Sequence, residues 1–201
     1  MSTAPDTTVR CEFYPYGPKS RQNPRSFVRP TVSELSKIKA KANQQMLNMI
    51  PAESEAPDFT LLDQNGIEFT LSELKGTPVV LYFYPKDDTP GCTREACAFR
   101  DARSDYEAVG ARVVGVSPDG VETHKKFETK YELPFTLLAD PDHQVCELYG
   151  VWQEKNNYGK KSMGVVRSTF VIDADRIVRK FYPRVKVDGH SDKILEILRG
   201  L

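Results

Sequence analysis

Long apolar runs are missing from this chain. No stretch reaches the ~18 consecutive apolar residues of a membrane-spanning helix, and the N-terminus lacks the apolar core of a secretion signal. The expectation is a soluble, intracellular, cytoplasmic protein that does not enter a membrane. Cysteine is scarce: four in 201 residues are too few for a disulfide scaffold. Histidine is scarcer still, and His124, His143 and His190 lie scattered without metal-ligand spacing, so they read as surface or capping residues and no metal is expected. Neither sign of charge is in excess, with 28 Lys and Arg against 28 Asp and Glu. No overall field therefore recruits nucleic acid or an anionic membrane. That balance hides a basic N-terminal quarter, since residues 1–50 hold eight basic and three acidic groups, leaving 20 and 25 in the remainder. Its Arg, Ser and Thr bias keeps organelle targeting open, although Asp6 and Glu12 interrupt the pattern.

A hydrophobic fraction of 39% supports one ordinary core, hence one domain with an appendage. Residues 1–30 carry Pro5, Pro15, Pro18, Pro24 and Pro30 with little apolar periodicity and read as a disordered or loosely packed tail. Leu35, Ile38, Ala42, Met46, Met49 and Ile50 then recur at helical spacing behind Ser33, a suitable N-cap, which predicts an amphipathic helix over 31–50. Lys37, Lys39 and Lys41 form its solvated face. Pro51 stops it, 51–55 reads as a linker, and 56–201 as the compact domain.

Within that domain, apolar runs at 59–62 and 67–71 flank Asn65-Gly66, a strong hairpin signal. The continuous run at 79–84 predicts a central strand covered on both faces. A helix over 92–109, a strand at 112–117, a helix at 121–131, a strand at 135–139, a short helix at 142–149, strands at 165–172 and 177–182 and a closing helix at 191–198 complete the order. This is the succession of a thioredoxin-like α/β domain.

Cys92 and Cys97 sit where the apolar strand ends and the helix begins, just after Pro90 and Gly91. A cysteine on the first turn of a helix meets the positive end of the macrodipole and unpaired N–H donors, which favour thiolate over thiol. That makes Cys92 the candidate nucleophile. On an ideal helix the two α-carbons would lie about 8.6 Å apart, beyond the roughly 7 Å that a disulfide tolerates. Any bond between them requires the intervening helix to unwind. Cys146, beside Val145 and Leu148, reads as packing, Cys11 as incidental and Trp152 as core.

The chain from about residue 56 to 201 resembles the peroxiredoxins, specifically the bacterioferritin comigratory protein or PrxQ subfamily. The resemblance is carried by Tyr82-Phe83-Tyr84-Pro85-Lys86-Asp87-Asp88-Thr89-Pro90-Gly91-Cys92, Asp142-His143-Gln144-Val145-Cys146-Glu147 and Arg167-Ser168-Thr169-Phe170. It departs in the N-terminal extension and in Asp173-Ala174-Asp175-Arg176, where a glycine is usual. The resemblance implies a three-layer thioredoxin-like sandwich around a central mixed sheet, and a peroxidase reducing hydrogen peroxide and organic hydroperoxides. By the same resemblance Cys92 is peroxidatic, Cys97 is resolving, and Pro85, Thr89 and Arg167 complete the peroxide pocket. Thioredoxin or a similar dithiol is the implied reductant, no cofactor is required, and the intramolecular resolving cysteine permits a monomer or weak homo-oligomer. Two other readings stand beside it: a thioredoxin-like dithiol oxidoreductase, which would lack the usual C-x-x-C, and a chaperone or interaction module that uses the N-terminal helix.

Overall fold

The structure, a computed structural model, describes residues 50–157 and 160–201. The expected tail, Cys11 and all but the last residue of the expected amphipathic helix lie outside the described residues. In chain order the elements are β1 (Thr60–Asp63), β2 (Glu68–Thr70), β3 (Val79–Phe83), α1 (Pro90–Asp101), α2 (Arg103–Ala108), β4 (Arg112–Ser117) and α3 (Val121–Tyr131). They continue as β5 (Thr136–Ala139), α4 (Gln144–Leu148), β6 (Trp152–Asn157), β7 (Lys160–Val165), β8 (Ser168–Ile172), β9 (Val178–Pro183) and α5 (His190–Leu198).

Seven of the strands form one sheet in the order β2-β1-β5-β4-β3-β8-β9. β3, β4 and β5 run parallel, whereas β8 joins β3 and β1 joins β5 antiparallel, so the sheet is mixed as expected. β3 is buried along its whole length, and its period-2 alternation divides the core. Val79, Leu81 and Phe83 enter one cluster with Phe59, Cys146, Tyr149 and Phe170. Val80, Tyr82 and Tyr84 enter the other with Cys92, Ala96, Phe99, Phe127 and Ile194. Packed side chains from α1, α2, α3 and α5 cover the second face and α4 contributes to the first, giving the three layers.

Gly115 shows how tightly the second face is filled. It lies opposite Tyr82 in the parallel register, and a Cβ there would come within 2.7 Å of the Tyr82 ring. Only a residue without a side chain lets that ring lie across β4. The Tyr82 hydroxyl is buried and has no hydrogen-bond partner, so packing rather than polar bonding holds the ring in place.

Three expectations change in detail. The helix expected over 92–109 is two helices, because Ala102 (φ −92°, ψ 15°) leaves the helical basin; the break lets Tyr106 turn inward, where its hydroxyl lies 2.9 Å from the Ser191 hydroxyl. The paired strands β6 and β7 had no apolar alternation to announce them, since main-chain pairing joins mostly polar residues. The expected linker at 51–55 is hydrogen-bonded to the sheet edge: Glu53 donates to the Val178 carbonyl at 2.7 Å, and the Val178 amide donates to Ser54 at 2.9 Å. In the 173–176 turn Arg176 takes the positive φ of 68° that favours glycine. Its guanidinium reaches the Ala56 carbonyl at 2.9 Å, so the side chain ties down the entry segment that glycine would leave free.

Candidate active site

The loop after β3 delivers the chain to the tip of α1. Thr89 is the N-cap residue, extended at φ −92° and ψ 149°, and Pro90 follows at the first helical position, where its missing N–H costs no hydrogen bond. Cys92 therefore occupies the first turn, as expected. Its side chain is buried, at 1% exposure, and belongs to the core cluster beneath α1.

Arg167, between β7 and β8, comes to the same point from the start of β8, the strand paired with β3. Its Nη2 donates to Cys92 Sγ at 3.0 Å, and its Nη1 donates to Glu95 Oε2. Gly91 packs beside this contact, and a Cβ there would sit 3.4 Å from Arg167 Nη2, at van der Waals distance. The backbone of Arg167 is itself held, its carbonyl accepting from the Val185 amide at 2.9 Å. Lys155 adds a second cation to this field. Burial lowers its pKa, as does the Arg167 charge, while the charge on Cys92 acts in the opposite direction.

Sequence reasoning missed Glu95. It stands three residues after Cys92 on α1, hence on the same helix face, and its side chain is 2% exposed. Burial pushes its carboxyl up to about 7, with the charge and hydrogen bond of Arg167 pulling the other way. Its Oε1 has no partner, which leaves that oxygen able to carry the proton. Because the folded value stands above the ordinary value of 4.5, the folded chain binds more protons than the unfolded chain across the interval between them. Ionising Glu95 therefore costs stability as pH rises from about 4.5 to 7. In thermal unfolding from pH 4.5 to 7.5, Glu95→Gln is expected to remove that component, so the variant gains on the parent as pH rises; parallel pH profiles would contradict the assignment.

Thr89 is hydrogen-bonded within its own loop. Its hydroxyl donates to the Lys86 carbonyl at 3.1 Å, so toward a substrate the oxygen offers lone pairs rather than a proton. Pro85 is half-buried in the same loop. Cys97 lies further along α1, is 3% exposed and is disulfide-bonded, whereas Cys92 and Cys146 are free thiols. Cys146 packs in the cluster on the opposite face of the sheet from Cys92, and burial pushes its thiol well up, in keeping with packing.

Two of the histidines depart from the surface or capping reading. His124 is 0% exposed. His190 is buried too, 2.8 Å from the Thr169 hydroxyl, and burial pushes its pKa down to about 4, leaving a neutral ring above that pH. His143 occupies the N-cap position of α4 and stacks on Trp152 with ring centroids 3.7 Å apart; Trp152 in turn packs against the core.

The family model described as AhpC/TSA family matches residues 52–181. The putative peroxiredoxin bcp of Coxiella burnetii is 52% identical over 141 residues, which is 70% of this chain and 93% of that one. Peroxiredoxin Bcp of Bacillus subtilis is 46% identical over 147 residues, 73% of this chain and 94% of that one. Among solved structures, the bacterioferritin comigratory protein of Xanthomonas campestris superposes with a TM-score of 0.70 at 38% identity, covering 75% of this chain and 98% of that one. That protein was solved as a trapped intermediate and ligand complex bearing on its alkyl peroxide reduction activity.

Proposed function

Since the chain belongs to the AhpC/TSA family, as a peroxiredoxin of the Bcp/PrxQ subfamily and a thiol-dependent peroxidase, we propose that Cys92 is its peroxidatic nucleophile and Arg167 the group that activates peroxide. The observation that carries this reading is the forked guanidinium, with one nitrogen 3.0 Å from the sulfur and the other held by Glu95. Fixed in this way, Arg167 meets an incoming peroxide without having to reorganise.

In the proposed cycle the Cys92 thiolate attacks one peroxide oxygen, forming an S–O bond as the O–O bond breaks. The departing oxygen takes its electron pair and a proton and leaves as water or alcohol, while the sulfur becomes sulfenic acid. Thr89, whose hydroxyl proton is engaged with Lys86, accepts from the peroxide O–H. Pro85 keeps water from the sulfur. Once an external dithiol has reduced Cys97 from its disulfide, the Cys97 thiolate attacks the Cys92 sulfur and expels the sulfenic oxygen, which takes a proton and leaves as water; this requires α1 to unwind between the two residues. An external dithiol of the thioredoxin kind supplies two electrons to return both thiols. Hydrogen peroxide and organic hydroperoxides are the proposed substrates, the cytoplasm the proposed compartment, and a monomer or weak homo-oligomer the proposed state.

The resolving step has its own test. Starting from fully reduced protein, one equivalent of peroxide is expected to give a Cys92–Cys97 link in peptide mass spectra, and a Cys92–Cys146 or intersubunit link would refute the assignment. Cys97→Ser is expected to keep the first oxidation of Cys92 within about threefold. Dithiol-coupled turnover should fall at least about tenfold and sulfinic Cys92 should accumulate, because the sulfenic acid persists in the presence of further peroxide. Full turnover in that variant would place the resolving thiol elsewhere.

A further inference from the structure

The loop that carries Pro85 and Thr89 is gripped by a buried polar network that touches none of the reacting atoms. Asp87, 4% exposed, is bonded on both carboxylate oxygens: Oδ1 accepts from the Tyr84 hydroxyl at 2.7 Å, and Oδ2 lies 2.7 Å from His124 Nδ1. On the far side of the His124 ring, Nε2 lies 3.1 Å from the Leu138 carbonyl. A carbonyl can only accept, so Nε2 carries a proton, and a single further proton joins Nδ1 to Asp87. The ring is therefore fixed at both nitrogens, between the loop on one side and β5 on the other.

The network continues through the main chain. The amide of Asp87 donates to Asp119 Oδ2 at 2.7 Å, and the Ser117 hydroxyl donates to the same oxygen at 2.9 Å. That amide belongs to the peptide unit between Lys86 and Asp87, whose other end is the Lys86 carbonyl. This carbonyl accepts the Thr89 hydroxyl at 3.1 Å. The plane of one peptide thus decides which way the Thr89 oxygen faces. The next residue, Asp88, has φ 52°, and its carboxylate is held by Lys130 at 2.7 Å and by the Tyr131 hydroxyl at 2.5 Å, both from α3. The same helix therefore holds the loop at two consecutive residues, once in the core through His124 and once at the surface.

We propose that His124 is a positioning residue for peroxide reduction. Acting through Asp87, it locks the Lys86–Asp87 peptide so that Thr89 presents its lone pairs toward the place where peroxide meets Cys92. This rests on the reading of Cys92 as the nucleophile. Small displacements at a reacting centre are costly in rate, of order a hundredfold for ~1 Å. The clamp should therefore matter for peroxide and much less for an electrophile that needs no activation.

Two substitutions separate the halves of the ring. In His124→Asn the amide nitrogen falls where Nδ1 was and keeps the bond to Asp87, whereas in His124→Gln it reaches the Nε2 position, keeps Leu138 and releases Asp87. Single-turnover oxidation of Cys92 by hydrogen peroxide and alkylation of Cys92 by iodoacetamide are then measured on the full chain. His124→Gln is expected to slow the peroxide reaction about tenfold while alkylation stays within about twofold, and His124→Asn to keep most of the peroxide rate. Asp87→Asn, which preserves volume, should reproduce the loss and add little to His124→Gln, since the two act as one unit. Equal loss in the Asn and Gln variants, or parallel loss of both reactions, would overturn the proposal and reduce His124 to a packing residue. If prior alkylation of Cys92 left the parent's peroxidase activity intact, the nucleophile assignment would fail instead, and the two failures are therefore distinct.

Discussion

Replacing Cys92 by serine is expected to lower kcat/KM for hydrogen peroxide by at least about four orders of magnitude, or roughly 5.5 kcal/mol of barrier. The substitution exchanges one atom and retains the shape of the helix tip, so the loss reports chemistry. A serine hydroxyl is almost entirely un-ionised at neutral pH, and a hydroxyl nucleophile needs an adjacent general base to take its proton. None is arranged for it here: Arg167 is a cation, and the one oxygen of Glu95 that faces Arg167 is engaged with it. The Thr89 hydroxyl accepts hydrogen bonds but is too weak a base to take the proton. Oxygen also lacks the polarisability that makes a thiolate reactive toward peroxide. Stability should change little, with a melting temperature within a few degrees of the parent, since about 1 kcal/mol in a chain of this size corresponds to roughly 2–4 °C. The measurement is peroxide loss in a dithiol-coupled assay, with unfolding followed in parallel. Turnover near the parent rate would move the chemistry to another atom. Among the described residues the other free thiol, Cys146, lies in the core cluster on the opposite face of the sheet with its acidity suppressed by burial, so such a result would also challenge the fold of the site.

What could be read from the sequence and what could not divide along a physical line. The strand at 79–84 was legible because burial on both faces leaves a continuous apolar run, and the position of Cys92 was legible because proline and glycine mark a strand-to-helix turn. Arg167 came from the family resemblance alone; nothing in its local pattern distinguishes it from any arginine beside a strand. Glu95, Asp87 and His124 were missed for a shared reason. Each is a polar side chain that becomes buried only because a partner distant in sequence satisfies it, Arg167 for the first and His124 with Asp87 for the others. Spacing offered one unused signal, since a glutamate three residues after the cysteine must share its helix face. The β6–β7 pair and the break at Ala102 escaped because main-chain pairing and a local change in ψ leave no trace in apolar periodicity.

Arg167→Met is expected to slow the reaction of Cys92 with peroxide by about 10²- to 10³-fold, the range found when a fixed donor to developing negative charge is removed. The effect should fall on the peroxide and not on the sulfur. A thiol made more acidic is more often ionised but is a weaker nucleophile, with a Brønsted slope of roughly 0.4–0.5, so the two consequences largely cancel. Most of the acceleration must then come from stabilising the oxygen that leaves, and alkylation by iodoacetamide should fall far less than oxidation by peroxide. A complication arises from Glu95, which the substitution leaves at 2% exposure without its hydrogen-bond donor; an unsatisfied buried polar group costs about 1–3 kcal/mol. The double variant Arg167→Met with Glu95→Gln removes that unpaired acid and is expected to regain much of the stability with none of the peroxide rate. Arg167→Lys should fall between, because an ammonium is a single point charge and cannot serve the sulfur and the carboxylate in two fixed directions. Recovery of the peroxide rate together with stability in the double variant would mean that Arg167 only holds Glu95 in the core. Continued slowness in a well-folded double variant would assign the missing rate to the nitrogen that lies 3.0 Å from Cys92 Sγ, since the mutual support of Arg167 and Glu95 would by then have been removed from both sides of the comparison.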